Sequence, residues 1–368
     1  MSKIELVLFM ITLLVVFIGL IFSLKKIINN EDPSTLFFTT GIGFALDSFG
    51  GNFLSNLNFA FSNIKNWKTN FRLNLSFSQS NFSSTELCTG IFFVVIGVLF
   101  VLYTKKRLFI LNINGYSETK VEDHYKSLKL SQFSFKEKEI DIINDIKVKM
   151  TNDEADRIIK RITRKVDSFK EESKDNKRAY TGIAQIPFIV YAGTLLRKVN
   201  FDRFFEFDKM QTHTYRELSD KCEYEKLENN TDFSKFDKEI TDILVAISTT
   251  KQITNEKLSH FKSNNIVQLA LKEPKDNAIQ SKQQLVDYKN KIIDVLNDLQ
   301  VRFPKLEKFH LFISSQSCLP FEIGKVIEDY RNAETIVYHF DMQSEEKYPW
   351  GIVINGKNKG KFVDRRKN

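Results

Sequence analysis

The chain has 368 residues and a formal net charge of +8, a length that accommodates two or three domains and a charge that suits an anionic ligand or surface. Its three cysteines, Cys88, Cys222 and Cys318, are too few and too scattered for a disulfide framework or a zinc site, which fits a reducing compartment. The abundance of phenylalanine reads as compositional bias and is assigned no function.

In chain order, Leu6 to Leu24 is an uncharged run of 19 residues closed by Lys25 and Lys26. Leu87 to Tyr103 is a second uncharged run, of 17 residues, followed by Lys105, Lys106 and Arg107. A bilayer core of about 30 Å asks for about 20 apolar residues, with about 17 as the lower limit, so both runs are predicted to span a membrane. The first is too long for a signal peptide and no small-residue cleavage site follows it. The basic triplet after the second is the usual cytoplasmic flank of a spanning helix, which places both termini and everything after Arg107 in the cytoplasm. Residues 1–107 are thus expected to form a two-span region. Within residues 25–86, the spacing of Leu57, Phe59 and Phe61, and of Phe71, Leu73, Leu75 and Phe77, is that of half-buried strands.

Leu108 to Leu111 is a short apolar run that opens the remainder of the chain. Phe135 to Met150 is predicted as a helix from Ile140, Ile143, Ile146 and Met150. Thr151 and Glu154 form a capping box for a second helix whose apolar line is Ile158, Ile162, Val166 and Phe169. Glu171 to Arg178 reads as a solvated linker, so residues 108–179 are expected to be a helical connector, with a boundary near Tyr180.

From Tyr180 to Asn355, strand-like and helix-like segments alternate. Ile243 to Ile247, Ile266 to Leu271, Phe309 to Ile313 and Thr335 to Phe340 are short apolar runs of strand length, while 279–303 and Leu319 to Arg331 are helical. Such alternation predicts a mostly parallel sheet with helices on its faces. No internal repeat is evident.

Motifs for a metal hydrolase, a P-loop, a nucleophile elbow or a dinucleotide fingerprint do not occur. The five histidines have no ligand spacing, and His310 and His339 lie inside predicted strands. The chain is therefore expected to bind rather than catalyse, without a metal or cofactor. Two polar clusters fit binding: Ser248, Thr249, Thr250 and Lys251 follow one predicted strand, and Ser314, Ser315 and Gln316 follow another. A parallel sheet places both on its carboxyl edge, where open α/β sheets bind ligands. Hydroxyls and amides there suit base edges, Lys251 suits phosphate, and the start of the helix carrying Pro320 adds a positive dipole end.

These stretches resemble a known family. GIAQIPFIVYAGTLL from Gly182, VNFDRFFEFD from Val199, DILVAISTT from Asp242, FHLFISSQSCLPFEIGK from Phe309 and TIVYHFD from Thr335 are similar to SAVED domains, the cyclic-oligonucleotide sensors of bacterial CBASS anti-phage effectors. Thr214, Tyr215 and Arg216 stand where the family has an aromatic-Arg-aromatic pattern, with Glu217 in place of the second aromatic. The resemblance implies two fused Rossmann-like (CARF-like) halves in residues 180–368. It also implies a pocket for a cyclic di- or trinucleotide made by a partner nucleotidyltransferase, with Tyr215 and Arg216 among its residues, and a ligand-induced homo-oligomer. Joined to the two predicted spans, it implies a multi-pass effector that disrupts the lipids of the bacterial inner membrane, by a pore for example, and so aborts infection. A cyclic-nucleotide phosphodiesterase and a membrane-bound binder of nucleic acid or lipid are the alternatives.

Overall fold

The computed structural model describes residues 37, 40–44, 48, 84–104, 107–130, 134–146, 149–208, 212–237 and 239–366. It divides the chain into two compact units, Met1–Arg107 and Leu108–Asn368.

In the first unit, α1 (Ser84–Thr104) carries Leu87 to Tyr103. Phe37 and Phe44 each stack on Phe93 with ring centroids 6.1 Å apart. Gly41 meets the backbone of Gly90 so closely that a Cβ on Gly41 would lie 2.7 Å from the Gly90 carbonyl oxygen. Among the described residues no helix is long and apolar enough to cross a membrane. That finding overturns the expected two-span architecture and, with it, the multi-pass inner-membrane location. The physical reason lies in the first turns of α1. Ser84, Thr85, Glu86 and Thr89 occupy them, with the Thr89 hydroxyl donating back to the Thr85 carbonyl at 2.8 Å, and the apolar stretch left behind them falls short of about 20 residues. The first expected span, Leu6 to Leu24, and the alternating segments around Leu57 and Phe71 lie outside the described residues.

The second unit is built on two sheets. Its elements in chain order are β1 (Leu108–Asn114), β2 (Phe135–Asp141), α2 (Ile143–Ile146), α3 (Asn152–Glu172), β3 (Lys177–Ile183), α4 (Ile186–Thr194), β4 (Arg203–Phe207) and β5 (Tyr215–Glu217). There follow β6 (Glu228–Asn229), β7 (Asp242–Ser248), β8 (Ile266–Ala270), α5 (Lys282–Arg302), β9 (Lys308–Ser314), α6 (Cys318–Val326), β10 (Glu334–His339), β11 (Trp350–Val353) and β12 (Phe362–Asp364). The first sheet has the order β2-β1-β3-β4-β5 and the second β12-β11-β10-β9-β7-β8-β6. β1 to β4 are parallel, as are β7 to β10, and antiparallel strands extend the edges. Each parallel set therefore runs second-first-third-fourth, the doubly wound order of a flavodoxin-like sheet.

Periodicity placed several of these elements. Thr151 accepts from the Glu154 amide at 3.4 Å and starts α3, whose Ile158, Ile162, Val166 and Phe169 are fully buried. Leu285, Tyr288, Ile292, Leu296 and Leu299 form the buried stripe of α5. Phe135 to Met150, expected as one helix, is instead the edge strand β2 followed by the single turn α2. Its charged residues alternate between partners: Glu137 and Glu139 accept from Asn112 and Asn114 at 2.7 Å each, while Lys136 and Lys138 bond to Glu172. Residues 108–179 thus supply two strands of the first sheet as well as α3, and Tyr180 lies in the middle of β3.

The two halves meet helix to helix. A Cβ on Gly193 of α4 would collide with the Phe321 carbonyl oxygen, and one on Gly324 of α6 with that of Val190. Beside this crossing, Tyr180 of β3 stacks on Phe321 with centroids 3.7 Å apart and planes 10° from parallel.

The two histidines inside strands are structural. His310 sits between the Tyr338 hydroxyl at 2.9 Å and Asp242 at 3.1 Å. His339 packs on Trp350, and burial pushes its imidazole down to about 4 although Asp341 pulls the other way. The unfolded chain takes up that proton near pH 6.5, so stability is complete above that value and is lost as pH falls toward 4. Urea unfolding should show the wild type losing roughly 1–2 kcal/mol between pH 7 and pH 5 through this group. His339→Gln should flatten that part of the profile, and an equal loss in the variant would place the titration elsewhere.

Candidate functional site

In open α/β sheets the crevice for ligands lies at the carboxyl ends of the strands where the winding reverses. The second sheet reverses between β7 and β9, whose register pairs Ser248 with Ser314. The two sequence-predicted clusters meet there. The amides of Thr249 and Thr250 both donate to the Ser314 carbonyl, at 2.9 and 3.0 Å. The Thr249 hydroxyl donates to Ser315 Oγ at 2.8 Å, the Thr250 and Ser314 hydroxyls are 3.0 Å apart, and the Lys251 amide donates to Ser314 Oγ at 3.1 Å. Ser248 lies deeper, its hydroxyl accepting from the Ile253 amide at 3.0 Å. Ser248 and Thr249 are fully buried, whereas Ser314 and Ser315 are half-buried and the Lys251 side chain is exposed. The result is a hydrogen-bonded, hydroxyl-lined rim with exposed Lys251 next to it in the chain.

Gln316 joins this rim in a different role. Its Oε1 accepts from the Ile279 amide at 2.5 Å and its Nε2 donates to the Ile279 carbonyl at 3.1 Å. Both ends of the amide thus hold the chain before α5 to the end of β9. Arg216 reaches the same carbonyl at 3.2 Å, which ties β5 to the rim across 63 residues of sequence. Tyr215 does not join them. Successive side chains of a strand face opposite ways, and its hydroxyl bonds to Thr119, with its ring against Phe207 and His124. Glu217, which stands in place of the family pattern's second aromatic, pairs with Arg203 on β4 at 2.6 Å.

The start of α6, expected to be open to an anion, is occupied from within. Glu206 of β4 accepts from the Cys318 amide at 2.7 Å and from the Ser317 hydroxyl at 3.2 Å. The Leu319 amide donates to the Gln316 carbonyl, the Phe321 amide to that of Ser317, and Pro320 has no N–H. Every donor of the first turn is thus taken. Burial pushes the Glu206 carboxyl up, and the Cys318 and Ser317 hydrogen bonds pull it partly back. Burial and then Glu206 push the Cys318 thiol up as well, so this cysteine is held as an inert thiol.

The first sheet has an equivalent reversal between β1 and β3, which sequence reasoning missed. There the amides of Gly115 and Tyr116 donate to the Ile183 carbonyl at 2.8 and 3.0 Å, and Gln185 follows at the start of α4. A sequence signal for it exists. Ile186-Pro187-Phe188 and Leu319-Pro320-Phe321 each come shortly after a strand end, and Gly193 and Gly324 follow them. This is a weak internal repeat of the strand–helix units that the fold pairs. Among the described residues, no three His, Cys, Asp or Glu side chains gather as a metal site.

A family model described as "SAVED: SMODS-associated and fused to various effectors sensor domain" matches residues 162–354, more than half of the chain. It begins within α3, so β1 and β2 precede it although they complete the first sheet. No curated protein matches. Solved structures similar to this chain include the Cap4 SAVED/CARF-domain containing receptor of Acinetobacter baumannii. With the cyclic trinucleotide 2'3'3'-cAAA it gives a TM-score of 0.44 at 15% identity, over 71% of this chain and 54% of that one. With 3'3'3'-cAAA the values are 0.44, 15%, 71% and 55%, and a further structure of the receptor gives 0.41, 14%, 73% and 54%. The chain spans about half the length of those structures.

Proposed function

Because this chain belongs to the SAVED family of sensor domains, we propose that its second unit binds a cyclic oligonucleotide as the sensing step of an anti-phage response. The ligand is a cyclic di- or trinucleotide supplied by a partner nucleotidyltransferase. The observation that carries this reading is the reversal between β7 and β9, where Thr249, Thr250, Ser314 and Ser315 form one hydroxyl-lined rim beside exposed Lys251. Hydroxyls in fixed positions suit sugar and base edges, and a flexible exposed ammonium suits phosphate. A ring closed through its phosphates has fewer conformations to lose on binding than the open chain, which favours the cyclic form.

The protein is proposed to act by binding, without turnover, and to pass the signal on through a homo-oligomer. Binding that favours an assembled state shifts the population toward it.

Calorimetry on the full chain, against cyclic and linear nucleotides of equal composition, tests the reading. A fragment starting at Thr151 would lack β1 and β2 and is unsuitable. At least one cyclic species should bind better than about 100 μM, roughly −5.5 kcal/mol, and should be recovered intact. Lys251→Glu and Ser314→Ala should each weaken binding, the latter by about 1–3 kcal/mol as the Lys251 amide and Thr250 lose their partner. Preference for the linear form, or a hydrolysed ligand, would contradict the proposal.

A further inference from the structure

Gln185 is fully buried at the start of α4, and neither its Oε1 nor its Nε2 has a hydrogen-bond partner. Buried side-chain polar atoms in native proteins are nearly always paired, and leaving both ends of an amide unpaired destabilises the fold. The side chain makes no capping hydrogen bond to α4. The amide lies in the gap between the ends of β1 and β3: a Cβ placed on Gly115 would sit 2.7 Å from Gln185 Oε1 and 2.8 Å from Ala184 Cβ. Beside that gap runs the Gly115–Tyr116 turn, whose two amides donate to the Ile183 carbonyl of β3. Glycine is what permits the turn to lie so close.

We propose that Gln185 is a base-reading residue, whose amide pairs with the edge of a nucleobase when the Gly115–Tyr116 turn lifts from Ile183. An amide sets one acceptor beside one donor, the complement of a base edge that sets a donor beside an acceptor, as adenine does with N6 and N7. The arrangement divides the labour between the halves: hydroxyls and Lys251 at the second reversal, and a base-specific contact at the first. The unpaired amide is then a stored deficit that the ligand relieves, the usual form of a functional compromise with stability. This inference rests on the sensor reading and adds the residue that selects the base.

Gln185→Met keeps the shape and removes both unpaired groups. The full-length variant should melt several degrees higher than wild type, while its affinity for the cyclic adenine trinucleotide should fall at least tenfold relative to wild type. Discrimination of that probe from cyclic di-GMP should shrink in parallel. A lower melting temperature in the variant would show that the amide supports the fold, and unchanged affinity would show that it does not touch the ligand; either result overturns the proposal. A wild type that binds neither probe nor any other cyclic oligonucleotide would instead remove the sensor reading itself, and this inference with it.

Discussion

Gly324→Ala should lower the melting temperature by roughly 5–10 °C, corresponding to about 3 kcal/mol. The sign is what makes the experiment decisive. On helix propensity alone, alanine in place of an interior glycine stabilises by about 1 kcal/mol. Here the added Cβ would strike the Val190 carbonyl oxygen and lie 3.1 Å from Gly193 Cα. Both are backbone atoms, so neither can rotate away, and α4 and α6 must move apart. That crossing is one of the contacts between the two halves and lies beside the Tyr180–Phe321 stack, so the strain spreads to both rings. Gly193→Ala should act in the same direction, against Phe321. A rise in melting temperature for either variant would mean that the helices are not packed as described.

Phe321→Ala should destabilise by about 3–5 kcal/mol, the range for deleting a fully buried aromatic side chain. Phe321 stacks on Tyr180 at 3.7 Å and meets Phe201 edge-on at 5.1 Å, and both Phe321 and Tyr180 are fully buried. Truncation leaves a void between the halves that the stiff β3 backbone cannot fill. Phe321→Leu should cost distinctly less, about 1–1.5 kcal/mol. Denaturant unfolding of the two variants measures the difference, and equal, small losses would place the inter-half contact elsewhere.

Elements with one buried stripe or one apolar run were legible in the sequence. α3 and α5 show helical spacing, and β7, β9 and β10 are short apolar runs, because a residue's own neighbours decide such patterns. β2 was not legible. It is an edge strand whose charges are satisfied by Asn112, Asn114 and Glu172, and charge at an edge reads like charge on a solvated helix. The candidate rim was half legible. Strand ends announced the Ser and Thr clusters, but the partner of Gln316 lies 37 residues away and Glu206 lies 112 residues from the helix it caps. No local pattern reports such pairings. For the same reason an open helix start was expected at α6 where the fold had placed a carboxylate. The split between Tyr215 and Arg216 followed from strand alternation, but only once β5 was known to be a strand. The uncharged run Leu87 to Tyr103 misled because absence of charge was weighed above the hydroxyls that open α1.

Hydrogen exchange on the full chain, with and without its tightest-binding cyclic oligonucleotide, tests the central claim most directly. Ligand at the reversal between β7 and β9 should slow exchange in residues 249–252 and 314–317, which hold Lys251 and the hydroxyl rim. The groove at the opposite ends of α4 and α6, lined by Arg197, Lys325 and Tyr330, should exchange as before. Protection confined to that groove, with 249–252 and 314–317 unchanged, would contradict the account.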